Sequence, residues 1–255
     1  MMGRAIMLLI ATVCSPGLAQ AGTPDALWHI VHDRCVPHAE QGKQPTPCTK
    51  VDRQTGYALL KDLVGPLQYL LIPTSRIEGI ESPAFSAPDA PHFFARAWQS
   101  RQVMAQRYDQ PISDDAILLA LNSPHGRSQN QLHIHISCVK PAVRQRLQRM
   151  APQISAHWQR LPDELAGHRY IARRVSSALL EQTSAAHLLA EHADAGQHMA
   201  DYGLALTALD AQSLVLLATH VNRERGNVAS TEELESHDCA VLDPHAAHES
   251  APSTP

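Results

Sequence analysis

Residues 128–139 read SQNQLHIHISCV and place two histidines at alternate positions of an otherwise apolar segment. In a β-strand, successive side chains point to opposite faces of the sheet. His133, His135 and Ser137 would therefore share one face, and the apolar side chains would pack on the other. An ordinary half-buried strand with incidental polar residues is one interpretation. Two imidazoles on one face are an unusual choice for that role, so the segment indicates either a metal pair or a nucleophile with its helper.

The loop before this strand separates the two functional interpretations. Asn122 ends the preceding apolar segment, eleven positions before His133. Metal sites use carboxylate, thiolate or imidazole ligands, whereas phosphate sites use amide and hydroxyl donors with an arginine. The loop therefore favours a phosphate-binding site, and a polar turn without a partner is the alternative. Its polar and glycine residues are Ser123, His125, Gly126, Arg127, Ser128, Gln129 and Asn130.

The bulk composition excludes several classes of protein. The 255 residues suffice for one large domain or two small ones, and 44% hydrophobic with 18% charged residues is ordinary for a globular fold. A net charge of −4 and the lack of a Lys/Arg run give no electrostatic basis for binding nucleic acid. Aromatic residues make up only 4% of the chain, which argues against stacked-base platforms. We therefore expect no nucleic-acid partner.

The first 21 residues have the layout of a secretory signal. Arg4 provides a positive start, residues 5–14 form an apolar run, and Ala19-Gln20-Ala21 matches a small-residue cleavage pattern. The run is shorter than the ~20 apolar residues that normally span a bilayer, and an uncleaved membrane anchor is the alternative. We predict an exported protein in which residues 22–242 form one domain and residues 243–255 a disordered tail.

Export gives the cysteines a structural meaning, because an oxidising compartment permits disulfides. Four cysteines remain after the signal segment, namely Cys35, Cys48, Cys138 and Cys239. The first two bracket a proline-rich loop that one disulfide would close. A bond between the last two would tie the end of the fold to the histidine strand. We predict both disulfides, with unpaired buried thiols as the alternative.

Hydrophobic patterns predict the order of the elements in the first half. In the second half, residues 168–176 and 213–221 read as strands, and residues 177–206 read as mostly helical. The sequence contains no evident internal repeat, so the second half does not copy the first. The first-half elements are a helix at 22–35, strands at 56–63 and 67–73, a helix at 91–108, strands at 114–122 and 132–140, and a helix from 141.

The segment LALNSPHGRSQNQLHIHIS, residues 119–137, resembles the motif of the histidine-triad superfamily of nucleotidyl hydrolases and transferases. That motif has histidines at three alternate positions, with Asn or Gln eleven residues before the first. His133, His135 and Asn122 match it, whereas Ser137 stands at the third position, where related transferases carry Gln. The resemblance implies an α+β fold, with an antiparallel sheet and flanking helices, here elaborated by a C-terminal α/β extension from about residue 151.

Over most of residues 25–242 the chain resembles more narrowly the bacterial CDP-diacylglycerol pyrophosphatase family. The signal-like start, the string HGRSQNQLHIHISC and the late SHDCAVL carry this resemblance. It implies hydrolysis of CDP-diacylglycerol to CMP and phosphatidate, without a cofactor, on the periplasmic side of the inner membrane. The partners that it implies are the lipid substrate and the membrane surface.

The family motif also implies roles for individual residues. His135, at the middle histidine, would attack the nucleoside-side phosphorus and form a phosphoramidate. His133 would orient the site through hydrogen bonds, and the Ser137 hydroxyl would lie near the transferred phosphate. Asn122 would contact the nucleotide, and we assign Arg127 to the pyrophosphate on its charge alone. Asn130 would lie near the leaving group with Gln129 beside it, and Ser128 would belong to the nucleotide- and phosphate-binding residues.

Two other functions also fit the sequence. A histidine-triad enzyme that acts on another exported nucleotide pyrophosphate would carry the same motif. An exported metal-binding protein would use His133 and His135, but the adjacent loop and strand offer no further ligand except His125. We therefore predict no metal cofactor, and activity that survives chelation.

Overall fold

The histidine strand lies inside one antiparallel sheet. The computed structural model describes residues 23–192 and 195–243. Within these residues the strand order is β1-β2-β3-β5-β4-β8-β9-β7-β6, with β10 paired to β5, and every pairing is antiparallel. The strands are β1 (Cys48–Asp52), β2 (Tyr57–Lys61), β3 (Tyr69–Pro73), β4 (Ile117–Leu121), β5 (Ile134–Val139), β6 (Gln159–Arg160), β7 (Ile171–Val175), β8 (Tyr202–Ala208), β9 (Leu214–His220) and β10 (Glu235–Ser236).

Helices cover the sheet, and a π-helical turn, Val31–Cys35, joins the first two of them. No helix in the described residues is both long and apolar enough to cross a bilayer. The predicted signal or anchor at 1–21 lies outside the described residues, as does the predicted tail beyond residue 243. The α-helices are α1 (Ala26–Ile30), α2 (Val36–Glu40), α3 (Pro83–Ser86), α4 (Phe93–Ser100), α5 (Gln102–Tyr108), α6 (Pro141–Met150), α7 (Ser177–Gln182) and α8 (Ala185–Ala190).

The elements predicted for the first half are present in the predicted order, and the structure adds β1 and α3, which the patterns did not indicate. The strands expected at 56–63 and 67–73 are β2 and β3, which pair with each other. The helix expected at 91–108 is α4 followed by α5, and the histidine segment is β5. The mixture of helices with an antiparallel sheet agrees with the expected α+β class.

The second half contains two short strands that were not predicted, β6 and β10, and differs most from the prediction at the end of the helical stretch. Residues 177–206 contain α7 and α8 as expected, but their end belongs to strand β8. The seven residues of β8, YGLALTA, are all buried, so the strand shows no alternation between polar and apolar positions. A short apolar run of this kind cannot be told from a buried helix by periodicity. Because β8 pairs with β4, the extension continues the same antiparallel sheet.

The two faces of the sheet are packed differently around the histidines. Residues directly opposite each other in an antiparallel pair share a face, and His135 lies between Leu70 of β3 and Ala120 of β4. Leu70 belongs to a buried apolar cluster beneath α1, and Ala120 belongs to a separate cluster beneath α6. The other face, with Ile134 and Ile136, packs into the largest core cluster. The histidines therefore lie at the boundary between two covering layers.

Both predicted disulfides are present. Cys35 is bonded to Cys48, which ties the end of the π-helical turn to β1. Cys138 of β5 is bonded to Cys239, across a sequence separation of 101 residues. The second bond lies next to the pairing of β10 with β5, in which Ser236 is opposite Cys138. The chain after residue 230 is therefore attached to the histidine strand by both hydrogen bonds and a covalent link.

Candidate active site

Gln68 connects the histidine strand to two distant parts of the chain. It immediately precedes β3, at the point where β10 replaces β3 as the partner of β5. Its side-chain amide nitrogen donates to Asp62 Oδ2 at 2.7 Å and lies 3.0 Å from His135 Nδ1. Its oxygen accepts from the Ser137 hydroxyl at 3.2 Å and lies 2.8 Å from His237 Nδ1. A buried amide with all of its hydrogen-bonding capacity used in this way holds its neighbours in fixed positions.

His133 and His135 lie side by side on the strand, with ring centroids 5.0 Å apart. His133 Nδ1 donates to the Gln131 carbonyl at 2.7 Å, so its Nε2 keeps a lone pair. His135 Nδ1 lies 3.5 Å from Glu232 Oε1 in addition to its contact with Gln68. His135 Nε2 is buried and has no hydrogen-bond partner among the described residues. That nitrogen therefore keeps an unused hydrogen-bonding position.

Both imidazoles are neutral near pH 7. Burial lowers the pKa of His133 to about 4, and a charge on His135 would lower it further. Burial also lowers the pKa of His135 to about 4, while the Asp62 carboxylate opposes this shift and His237 adds to it. An imidazole must be neutral to act as a nucleophile. The site thus holds the form of His135 that nucleophilic chemistry needs.

We predict that this burial shifts the acid limb of the pH–activity profile. His135 should stay neutral down to about pH 4, so kcat/KM should remain near its maximum at pH 5–6. A histidine nucleophile with an ordinary pKa would begin to lose activity near pH 6.5. The measurement is kcat/KM against pH, with circular dichroism at each point. An inflection near pH 6.5 in folded protein would contradict the prediction.

The circular dichroism control is necessary because the same pKa shift affects stability. In the unfolded chain the two histidines take up protons near pH 6.5, whereas in the folded chain they do so only near pH 4. The contribution of the two histidines to the free energy of unfolding is therefore fully present above their pKa in the unfolded chain. It is lost as the pH falls toward their pKa in the folded chain. A loss of activity below pH 5 that coincides with unfolding therefore says nothing about catalysis.

The segment 231–237 brings three further ionisable groups to the histidines, namely Glu232, Glu235 and His237. Three interactions hold this segment. The Thr231 hydroxyl bonds to the backbone of Leu121, β10 pairs with β5, and Cys239 is bonded to Cys138. A third imidazole therefore does reach the site, but His237 supplies it instead of position 137.

Glu235 is the least compensated of these groups. Its side chain is fully buried, and neither carboxyl oxygen has a hydrogen-bond partner within the described chain. Burial raises the pKa of the Glu235 carboxyl well above its usual range, and the charges of Glu232 and Asp62 raise it further. His135, Glu232 and Glu235 offer ligand atoms that all lie within 4.8 Å of one another. These three residues are the group that could hold a metal ion.

An open cleft of about 790 Å³ adjoins these residues; we call it the catalytic cleft. Besides His237, Lys140 is the cationic residue of its lining, and it extends from the end of β5. Acidic residues outnumber cationic ones there, so an anionic substrate would have to overcome electrostatic repulsion to bind. The cleft is lined by Lys140, Ser230, Glu232, Glu233, Glu235, Ser236, His237 and Asp238.

Asn122 points to the same segment. Its side-chain nitrogen donates to Glu232 Oε2, and its oxygen accepts from the Ser230 hydroxyl and the Glu232 backbone N–H, each at 3.2 Å. Both ends of the amide therefore already have protein partners. In this arrangement Asn122 positions Glu232 beside His135.

Two side chains of the loop before β5, Arg127 and Gln129, form hydrogen bonds with other parts of the protein. Both terminal nitrogens of Arg127 donate to the Glu81 carboxylate at 2.6 Å, and the Arg127 side chain is 8% exposed. Gln129 bonds to the backbone of Thr23 and Leu27. The guanidinium is thus occupied by a carboxylate instead of facing an open site. Ser128 and Asn130 are exposed.

Sequence patterns did not identify Gln68, Glu232, Glu235 or His237 as site residues. His237 lies in SHDCAVL, one of the strings that carried the resemblance, but neither its spacing nor its surroundings indicated a role. The two glutamates lie in STEELESHD, which reads as a solvated polar loop. The pairing of β10 with β5, the Cys138–Cys239 disulfide and the contacts of Thr231 and Asn122 bring the two glutamates next to the histidines.

One comparison with known proteins bears on this geometry. Residues 22–243 match a family model described as CDP-diacylglycerol pyrophosphatase. The matched range includes β5, the loop before β3 and the segment 231–237. It therefore covers every part of the chain that contributes a side chain to the site described above.

Proposed function

The chain belongs to the CDP-diacylglycerol pyrophosphatase family, a family of hydrolases, and we propose that it cleaves CDP-diacylglycerol through a nucleotidyl-histidine intermediate. The observation that carries the proposal is the state of His135. Its ring is neutral, its Nε2 has no partner among the described residues, and its Nδ1 lies 3.5 Å from Glu232, which lines the catalytic cleft. A neutral imidazole whose Nε2 has no protein partner can act as a nitrogen nucleophile once its ring proton is on Nδ1.

In the first step, His135 Nε2 attacks the phosphorus that is bonded to cytidine. The bond from that phosphorus to the bridging oxygen breaks, phosphatidate leaves, and CMP stays on the ring as a phosphoramidate. Attack by Nε2 requires the ring proton on Nδ1, where Glu232 Oε1, 3.5 Å away, would accept a hydrogen bond. The Gln68 amide donates toward Nδ1 in the substrate-free protein, so it must yield this position as the substrate binds.

In the second step, water attacks the phosphoramidate, the P–N bond breaks, and CMP leaves. Lys140 is our candidate for the pyrophosphate contact that we first assigned to Arg127, because Lys140 lines the catalytic cleft while Arg127 is paired with Glu81. Asn122 supports both steps by fixing Glu232. Ser128 and Asn130 are exposed and remain candidates for contact with the substrate.

We predict where the oxygen of water goes. In oxygen-18 water the heavy atom should appear in CMP and none in phosphatidate, because water attacks only the cytidylyl phosphorus. Mass spectrometry of both products checks this. Label in phosphatidate would mean that the other phosphorus is attacked, and the role given to His135 would be wrong.

The intermediate itself has to be captured, since direct attack of water on the same phosphorus gives the same labelling. Substrate labelled in the cytidylyl phosphate should leave label on the protein after a rapid alkaline quench. A primary alcohol added in excess should also yield a substituted cytidine phosphate at the expense of CMP. The Ser137→Ala variant is the matched control for the adduct, because it retains His135.

A metal-dependent hydrolysis is the second candidate, and the group of His135, Glu232 and Glu235 favours it. The loop and strand around the histidines contain no carboxylate for such a site, but the fold supplies two. A metal held by these residues would supply an activated water, and no covalent intermediate would form. Under our proposal a metal bound to His135 would instead block the nucleophile.

We predict that activity survives dialysis against EDTA, and that added zinc lowers it. Metal analysis of the purified protein and initial rates with and without chelator make the measurement. Loss of activity in EDTA with recovery on adding zinc would move the assignment to the metal-dependent mechanism. The Glu235→Gln variant is a suitable control, since the neutral amide resembles the protonated carboxyl and removes a metal ligand.

The substrate and location remain parts of the same proposal. A histidine-triad-like hydrolase of a soluble nucleotide pyrophosphate would use the same residues, so turnover of CDP-diacylglycerol should be compared directly with that of soluble dinucleotides. We propose that the protein acts on the periplasmic side of the inner membrane. Two observations support this location: the signal-like first 21 residues and the lipid nature of the family's substrate.

A further inference from the structure

The large apolar side chains that are exposed in the described chain are Leu63, Val64 and Val228. Leu63 is fully exposed, and Val64 and Val228 are 48% and 44% exposed. Single exposed apolar residues are normal on a protein surface and need no explanation. Here, however, two of the three are adjacent in the loop between β2 and β3, and all three lie close in the chain or in space to residues of the catalytic cleft.

The β2–β3 loop, residues 62–66, touches the site directly. Gly65 has φ +67 and packs so closely on His237 that a Cβ there would lie 2.4 Å from the His237 carbonyl oxygen. Asp62, at the start of the loop, accepts from the Gln68 amide. On the other side, Val228 precedes the cleft residue Ser230 by two positions. The exposed apolar groups therefore belong to segments that contact or directly precede residues of the catalytic cleft.

A groove connects the loop to the cleft. It has a volume of about 480 Å³ and shares Asp238 with the lining of the catalytic cleft. Its lining begins at the end of the loop and is mainly apolar apart from its aspartates. The residues are Pro66, Leu67, Tyr108, Asp238, Cys239, Ala240, Leu242 and Asp243.

Hydrogen bonds at the base of the β2–β3 loop hold it in its exposed position. Lys61 Nζ donates to the carbonyls of Asp62 at 2.6 Å and Gly65 at 2.8 Å, and Arg107 Nε donates to the Pro66 carbonyl at 2.6 Å. The Val64 N–H donates to Asp62 Oδ1 at 3.1 Å. The tip is therefore braced outward instead of folding back onto the protein. The same contacts place two cationic side chains, Lys61 and Arg107, and one carboxylate, Asp62, at the base of an apolar tip.

We propose that the β2–β3 loop docks the protein on an anionic phospholipid bilayer, with Leu63 and Val64 inserted and the catalytic cleft facing the lipid. An apolar tip above basic side chains matches the interface between acyl chains and anionic headgroups. The proposal rests on the proposed function in one respect, namely that the substrate is a lipid. It adds the surface by which that substrate is reached.

The test compares two activities of the same full-length protein. One substrate is CDP-diacylglycerol in vesicles of phosphatidylcholine and phosphatidylglycerol, and the other is a soluble CDP-alcohol. Leu63→Glu should lower the ratio of vesicle to soluble kcat/KM by about tenfold or more, because a charge replaces a side chain that must leave water. Gln212→Glu, in the exposed turn between β8 and β9, adds the same charge elsewhere and should leave the ratio unchanged.

A second measurement does not depend on catalysis. The emission of a Leu63→Trp variant should shift to the blue on adding vesicles and be quenched by brominated acyl chains, whereas that of Gln212→Trp should not. An unchanged ratio for Leu63→Glu, or no shift for Leu63→Trp, overturns the docking surface. If the shift occurs but CDP-diacylglycerol is not hydrolysed, the docking surface stands and the proposed function fails.

Discussion

The His135→Ala variant is expected to lose at least about 10⁴-fold in kcat, with little change in stability. Removal of a covalent nucleophile abolishes the two-step route and leaves only the residual effect of binding. Stability should be little affected by the loss of imidazole contacts, because the ring is buried at a cost: its Nε2 has no partner and its pKa is lowered by burial. Steady-state kinetics and thermal unfolding of the same preparation make the measurement.

Ser137→Ala is the matched control for this variant, because Ser137 lies on the same face of β5, two residues further on. Its hydroxyl donates one hydrogen bond to Gln68 at 3.2 Å. Loss of that bond should lower turnover by only about 10–100-fold, the value of one or two hydrogen bonds in a transition state. If the two variants lose activity equally, His135 is not distinguished as the nucleophile and the roles need to be reassigned.

The second large effect is expected from removing the disulfide between Cys138 and Cys239. It closes a long loop, with a sequence separation of 101 residues, so its loss should lower the free energy of unfolding by about 4–5 kcal/mol. Activity should also fall by about 100-fold in protein that is still folded, because small displacements of catalytic groups are costly. The groups displaced would be Glu232, Glu235 and His237. Denaturant unfolding and kinetics of Cys138→Ala/Cys239→Ala test both parts.

The other disulfide provides the control. Cys35 and Cys48 are 13 residues apart, so Cys35→Ala/Cys48→Ala should lose roughly 3 kcal/mol of stability. That bond ties the π-helical turn to β1, away from the segment 231–239, so kcat should change far less. Equal losses of kcat in the two double variants, measured on folded protein, would mean that the first bond acts through stability alone.

The part of the site that the sequence predicted is the part that lies on one strand. The alternation of polar and apolar residues in β5 is a local signal, because a strand turns every second side chain to the same face. It placed His133, His135 and Ser137 together, and the structure has all three buried on that face. The neighbouring strands β2, β3 and β4 were likewise visible as apolar runs bounded by turn residues.

The rest of the site depends on pairings that leave no local trace. β10 has only two residues, and Glu235 within it is a charged residue type that is almost never fully buried without a partner. Its sequence surroundings predict a solvated residue. It is buried because β10 pairs with β5, a strand that lies more than ninety positions earlier in the chain. Gln68 is similar, since a single glutamine before a strand indicates nothing. Its importance comes from four partners on three segments.

β8 shows the converse case, in which the residue types were read correctly as buried but assigned to the wrong element. Every position is covered, because β8 lies between β4 and β9 with packing on both faces. Polar and apolar residues alternate in a strand that has one solvent-exposed face. A strand that is buried on both faces does not show this alternation. The same reasoning explains why the second half did not reveal that it extends the first-half sheet.

The attachment of the segment 231–239 to β5 also sets the order in which the protein becomes an enzyme. The strands β1 to β9 precede this segment in the chain, so a growing chain can build most of its sheet before Glu232, Glu235 and His237 exist. Even a finished chain has no covalent restraint on these residues until two thiols have been oxidised. Full activity is therefore expected only after the Cys138–Cys239 disulfide has formed, and not as soon as the chain has been synthesised. We expect a pool of reduced chains to be nearly inactive, and oxidation of the two thiols to raise the activity of the hydrolase.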